Sequence, residues 1–189
     1  MEDNARRIRE TALRMAEMLQ NLLDANRIER GEMQWALAPT EISGIVKGVV
    51  EAYKPRAAAK EQTLHLQSGS EPITTSVDRD VMVQVLENLV SNAVKYSPRG
   101  KNIFVRLTKT ADQVQLEVQD EGPGLNADDL KRLFGKFARL SAKPTGGEHA
   151  TGLGLSIVKK MVEAMNGKIW CESEPGRGAK FIVQLPSHS

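Results

Sequence analysis

Asn88, Asn92 and Lys95 recur at i, i+4 and i+7, which at ~100° per residue puts them within about 60° of one another on a helix. Two neutral amides and an ammonium are poor general acid/base equipment. They suit a hard cation held largely by substrate phosphates, because magnesium takes oxygen ligands and usually only one or two of them from protein. Asn92 can supply one such oxygen, Lys95 a counter-charge for phosphate and the adjacent Tyr96 a flat ring. A solvated helix face has the same pattern. Farther on, Asp120, Glu121, Gly122, Pro123, Gly124 and Leu125 place a carboxylate at the end of a strand-like run, followed by two glycines that let a ligand approach the backbone closely. Such a carboxylate can accept from an exocyclic amine like that of adenine, or simply cap a turn. A third segment, Thr145 to Leu155, is rich in glycine (Gly146, Gly147, Gly152, Gly154) and opens a helix-like run. It can offer unpaired N–H groups and the positive end of a helix dipole to an anion. It has neither the GK[ST] ending of a P-loop nor a G-x-G-x-x-G placed after a first strand.

These residues need a scaffold, and its elements are legible in order. Residues 2 to about 30 contain no Gly or Pro and set Ala5, Ile8, Ala12, Met15, Leu19 and Leu22 at alternating steps of three and four. That spacing predicts a long helix whose narrow apolar seam calls for a partner, or else a surface helix folded back on the chain. A second helix is expected from Thr40 as N-cap, fading between Pro55 and Lys60, then a strand at 63 to 67 with His65 on its polar side. Asp78 reads as the N-cap of a strong helix ending at Ser97 before Pro98. A hairpin (102 to 109, 113 to 120), a short helix (126 to 133), a helix ending near 165 and a last strand pair (168 to 173, 179 to 185) complete the order.

Composition narrows the function classes. With 26 Lys and Arg against 24 Asp and Glu the net charge is +2, and the basic residues are dispersed, which argues against a nucleic-acid partner. One cysteine, Cys171, closes no internal disulfide and suits a reducing, cytoplasmic setting. The start MEDNARRIRE has no apolar h-region behind it, and no run of ~18 apolar residues occurs, so neither export nor membrane spanning is expected of the chain as given.

Together and in register, five segments resemble those of the GHKL (Bergerat-fold) ATPases, and among them the ATP-binding catalytic domain of sensor histidine kinases. Glu87 to Pro98 (ENLVSNAVKYSP) looks like the N box, Asp120 to Leu125 (DEGPGL) like the first glycine box and Leu133 to Leu140 (LFGKFARL) like the F box. Thr151 to Leu155 (TGLGL) is similar to the second glycine box and Pro175 to Phe181 (PGRGAKF) to the terminal glycine motif. The likeness covers about residues 40 to 186. Asn21 to Met33 (NLLDANRIERGEM) is also similar to the end of the second dimerisation helix and its linker.

The resemblance implies an α+β fold: a two-layer α/β sandwich with a mixed, mostly antiparallel sheet covered by helices on one face, preceded by a long N-terminal helix. It divides the chain into residues 1–32, the second helix of a truncated dimerisation domain, and 33–189, the ATP-binding domain. It makes Asn92 the ligand of Mg²⁺ and Asn88 a polar helper toward phosphate or metal-bound water. Lys95 reaches a phosphate, Tyr96 packs on adenine and Asp120 accepts from its amine. Gly122, Gly124 and Leu125 shape the adenine pocket of an ATP/ADP site, while Thr151, Gly152, Leu153, Gly154 and Leu155 border the phosphates. Phe134 and Phe137 dock a lid over residues 141 to 151, and Arg139, with Lys136 as a further candidate, meets the γ-phosphate.

Two features depart from the family pattern. Ala179 stands where a hydroxyl residue is usual, and no phosphoacceptor box, a His followed by an acidic residue and Arg-x-Pro on a helix, is present. His65, His149 and His188 lie in a strand, a glycine loop and a tail, so each reads as a surface or loop imidazole. The resulting expectation is a sensor-kinase fragment that binds Mg-ATP and presents the γ-phosphoryl group to a histidine elsewhere. The expected partners are the histidine-bearing dimerisation helix, a response regulator and a second copy in a homodimer. A clamp ATPase, an anti-sigma serine kinase and a non-transferring nucleotide sensor are the alternatives on the same fold.

Overall fold

The computed structural model describes residues 2–138, 140–145 and 152–187. Helix α1 (Glu2–Glu29) is a single rod, as expected of a run without helix breakers. Its last turns dock on the rest of the chain. The buried Asp24 carboxylate accepts from Gln20 Nε2 (2.9 Å) and from Gln84 Nε2 (3.0 Å), and Ala25, Ile28 and Trp35 pack against the core. The seam residues Met15, Leu19 and Leu22 are 59%, 59% and 46% exposed, while the Asp24–Ile28 end is folded back. The side chains of Ala5 and Ile8 lie outside the described residues.

Strand β1 (Ala38–Glu41) leads into helix α2 (Ile42–Ala58). Thr40 is therefore not the N-cap. Glu41 is, its carboxylate accepting from the Gly44 N–H at 2.8 Å, a role open to any acidic residue at this position. Strand β2 (Thr63–Ser68) follows, then β3 (Thr74–Val77), which pairs antiparallel with β1 in a small sheet. Neither β1 nor β3 is expected from the sequence: each has four residues, too few for alternation to register. The Thr75 hydroxyl ties this small sheet to the Pro186 carbonyl at 2.6 Å.

Helix α3 (Arg79–Tyr96) starts at the expected N-cap, where Asp78 accepts from the N–H groups of Asp80 and Val81. After it come β4 (Asn102–Lys109), β5 (Gln113–Gln119), α4 (Ala127–Arg132), α5 (Gly154–Ala164), β6 (Lys168–Ser173) and β7 (Ala179–Pro186). The main sheet has the order β2-β4-β5-β7-β6, parallel only between β2 and β4. This is the mixed, mostly antiparallel sheet expected. With Ile182 of β7 buried on the opposite side, the period of two puts Ile103, Val105 and Leu107, Val114, Leu116 and Val118, and Phe181, Val183 and Leu185 on one face. There they meet the apolar sides of α2, α3 and α5.

Leu89, fully buried on α3, lies one residue from Asn88. Leu89→Ala should cost about 2–5 kcal/mol in urea unfolding, against less than about 0.5 kcal/mol for Leu19→Ala on the exposed seam.

Candidate functional site

One face of α3 presents Asn88, Asn92 and Lys95 together. The Asn92 amide Nδ2 donates to Asn88 Oδ1 at 3.1 Å, which leaves the Asn92 carbonyl as the hard oxygen of the pair. Opposite stands the first turn of α5. A Cβ on Gly154 would fall 2.6 Å from Asn88 Nδ2, so a side chain there would push the Asn88 amide aside, and glycine lets the second glycine box approach the amides as they stand. The Leu153 side chain makes no cap hydrogen bond at the start of α5, where the helix dipole has its positive end. Lys95 Nζ lies 5.8 Å from the Tyr96 ring centroid.

At the other end of the site β5 delivers Asp120, 5% exposed. Its Oδ1 accepts the N–H groups of Gly122 (2.8 Å) and Ala179 (3.2 Å). Burial pushes the carboxyl up to about 6 against the pull of those two bonds. The position where a hydroxyl was expected thus serves Asp120 through the backbone N–H of Ala179. A Cβ on Gly122 would meet Asp120 Oδ1 at 2.8 Å and the Tyr96 carbonyl at 3.0 Å, and one on Gly124, at φ +70°, the Glu174 carbonyl at 2.0 Å. The first and terminal glycine motifs therefore touch backbone to backbone, with the Gly176 N–H donating to the Pro123 carbonyl at 2.7 Å. Leu125 is buried beside them.

Between these ends, Gly152, at φ +70°, backs onto the Phe137 and Ala138 backbone; a Cβ there would lie 2.9 Å from the Phe137 carbonyl carbon. The Phe137 ring itself is 62% exposed at φ +54°, so this residue meets the glycine box through its backbone. Phe134 packs against the core, as do Leu153, which is buried, and Leu155. Arg139, Gly146, Gly147, His149, Thr151 and His188 lie outside the described residues. His65 stacks on Phe104, its ring Nε2 2.9 Å from Asn102 Oδ1. The Cys171 thiol, pushed up to about 12 chiefly by burial, is no nucleophile at neutral pH.

Three supporting residues escaped the sequence reading. Ser173 accepts the Leu125 N–H (2.9 Å) and donates to the Gly178 carbonyl (2.6 Å), stitching the two glycine loops. Glu121 accepts the Asn102 N–H at 2.9 Å and so anchors the loop to β4. Asp129, held below its ordinary value first by the Ser141 hydroxyl, also takes the Ser141 N–H at 3.1 Å. A lone Ser, Glu or Asp gives no periodic signal; only the DEGPGL run marked Glu121 as near the site.

Residues 77–189 match the profile described as histidine kinase-, DNA gyrase B-, and HSP90-like ATPase. The chain belongs to this ATPase family. It is 32% identical over 179 residues to the adaptive-response sensory kinase SasA of Synechococcus sp. (strain JA-2-3B'a(2-13)), covering 94% of this chain and 47% of the relative. To the sensor protein kinase WalK of Staphylococcus haemolyticus (strain JCSC1435) it is 30% identical over 180 residues, 94% of this chain and 29% of WalK. Among solved structures, full-length ShkA in complex with AMPPNP superposes with a TM-score of 0.83 at 27% identity, over 96% of this chain and 38% of ShkA. The chain spans less than half the length of each of these three. Within the family it is the ATP-binding catalytic domain of the sensor-histidine-kinase type.

Because the folded Asp120 keeps its proton to about pH 6 while an unfolded one loses it near 3.8, the native state binds more protons between those values and stability falls as pH rises through them. The full penalty, about 3 kcal/mol, stands above pH 6. Asp120→Asn should match the parent at pH 3.5 and exceed it by up to about 3 kcal/mol at pH 7.5 in urea titrations of the nucleotide-free chain.

Proposed function

We propose that this chain binds Mg-ATP and passes its γ-phosphoryl group to a histidine on another segment of a sensor kinase. The observation that carries the reading is the approach of Gly154 to Asn88: it sets an amide pair against the first turn of helix α5, the chemistry of a site for a metal-chelated polyphosphate. The residues fit magnesium. Asn92 would hold the ion by one oxygen, with phosphate and water suited to the remaining places, since magnesium usually takes only one or two ligands from protein. When bound, magnesium supplies neutralising charge to the phosphate oxygens.

The chain's own residues do the rest by positioning and charge. Asp120 takes the adenine amine as acceptor, and the Gly122 loop keeps that carboxylate from turning. Asn92 would hold the metal, and Asn88, by accepting from Asn92 Nδ2, fixes that amide so that its oxygen is left for the ion. Lys95 and the α5 N-terminus neutralise phosphate, with Tyr96 flanking the base. Arg139 meets the γ-phosphate, and Thr151, Gly152, Leu153, Gly154 and Leu155 border the phosphates.

His65 is a poor acceptor here, being stacked and engaged within the sheet. The acceptor is instead carried by a helix that pairs with the exposed Met15–Leu22 seam of α1. Residues 1–32 then belong to a dimerisation bundle and 33–189 to the ATP-binding domain, in a homodimer serving a response regulator. No helix among the described residues is long and apolar enough to cross a membrane, and the reading places this portion in the cytoplasm.

Calorimetry should show Mg²⁺-dependent ATP binding that Asn92→Ala weakens without altering the melting profile. GTP should bind roughly tenfold to a hundredfold more weakly, since a guanine carbonyl would face the buried Asp120 acceptor; equal affinities would sink the base assignment. Labelled ATP should leave no acid-labile phosphate on His65. It should label a supplied histidine-bearing helix from the same parent kinase.

A further inference from the structure

The C-terminal end of α3 leaves its last carbonyls without intrahelical partners, and they are met from outside the helix. Lys60, in the turn after α2, places its ammonium 2.8 Å from the Val94 carbonyl, 3.3 Å from the Lys95 carbonyl and 2.8 Å from Thr145 Oγ1. Thr145 in turn donates its N–H to the same Lys95 carbonyl at 3.0 Å, and its hydroxyl lies 3.0 Å from that oxygen and 2.8 Å from the Ser97 carbonyl. The buried Gln62 amide takes the carbonyls of Val94 (3.1 Å) and Ser97 (2.7 Å). A cation at this helix end also meets the negative pole of the dipole.

The geometry points to Lys60 as a positioning residue for the phosphate half of the nucleotide site, an inference that rests on the ATP reading above. Two phosphate-side parts share its ammonium. One is the peptide of Lys95, whose carbonyl is gripped so that the direction of its side chain is set. The other is Thr145, the residue from which the glycine-rich segment departs. The adenine side depends on different contacts, Asp120 with Gly122, Ala179 and the Ser173 stitch, none of which involves Lys60. Loss of the ammonium should therefore separate phosphate binding from base binding, which general destabilisation would not do.

The test compares ATP and adenosine affinities, with Mg²⁺, for the whole chain and its Lys60→Met and Lys60→Arg variants, alongside melting temperature. Lys60→Met should weaken ATP by about tenfold, the worth of a charge-assisted hydrogen bond, and leave adenosine within about twofold. Lys60→Arg, keeping the charge, should recover most of the loss. Should Lys60→Met fail to fold, Thr145→Val, which spares the ammonium's bond to Val94, carries the same expectation, with Thr145→Ser as its rescue. Parallel loss of ATP and adenosine binding, or unchanged ATP affinity in a folded variant, overturns the proposal while the ATP reading stands. A parent chain that binds no ATP overturns both.

Discussion

Two turns of backbone meet where no side chain fits. A Cβ on Gly178 would lie 2.0 Å from the Asp120 carbonyl oxygen, and one on Gly124 equally close to that of Glu174. Both glycines stand at positive φ, where a side chain would be strained in any case. This contact lets β5 end with its carboxylate folded inward, accepting from Gly122 and from Ala179 across the sheet. Asp120 is thereby buried at a cost that two backbone bonds only partly offset. A carboxyl buried on those terms is a candidate for a functional site.

The phosphate end is assembled by other means. Its side chains ride on α3, whose opposite face contributes eight buried residues to the core, so the register of Asn88, Asn92 and Lys95 is tied to burial. A rotation of α3 that moved Asn88 would also move Leu89 and Leu86 out of contact with the sheet. The gap across from the amides is set by Gly154 and by the start of α5, itself held through Ile157, Val158, Met161 and Val162. The distance between amides and helix N-terminus is thus a consequence of helix-on-sheet packing.

Legibility in the sequence followed these two kinds of support. Elements with strong period, α3 and the strands β4, β5 and β7, matched their expected bounds within a residue or two, because burial of one face dictates both pattern and position. β1 and β3 were invisible: Ala38–Glu41 has no buried side chain to leave a pattern, and Thr74–Val77, though it alternates, is only four residues long. The candidate site was readable as motifs where several residues act in register. It was unreadable where a single distant residue acts through space: nothing near Lys60 marks it as a partner of Thr145, which lies 85 positions away, and Ser173 sits 48 positions from the Leu125 amide that it accepts. Asp24 is a further case. Among the helix-forming residues of α1 it looks like any exposed acid, yet it is buried because Gln84, 60 positions on, reaches it.

The Asp120 end and the Lys95 end of the candidate site therefore differ in compliance. Around Asp120 the limits are hard-sphere contacts between backbones, which cannot yield by fractions of an ångström without breaking strand pairing at Asp120 and Ala179, whose backbone bond is 2.8 Å. Around Lys95 the limits are hydrogen bonds made by an ammonium, a hydroxyl and an amide to carbonyls at a helix end, each worth about 1 kcal/mol, or somewhat more for the ammonium. The surroundings of Asp120 are thus built into the packing. Those of Lys95 rest on a few polar contacts, which is where a change in geometry costs least.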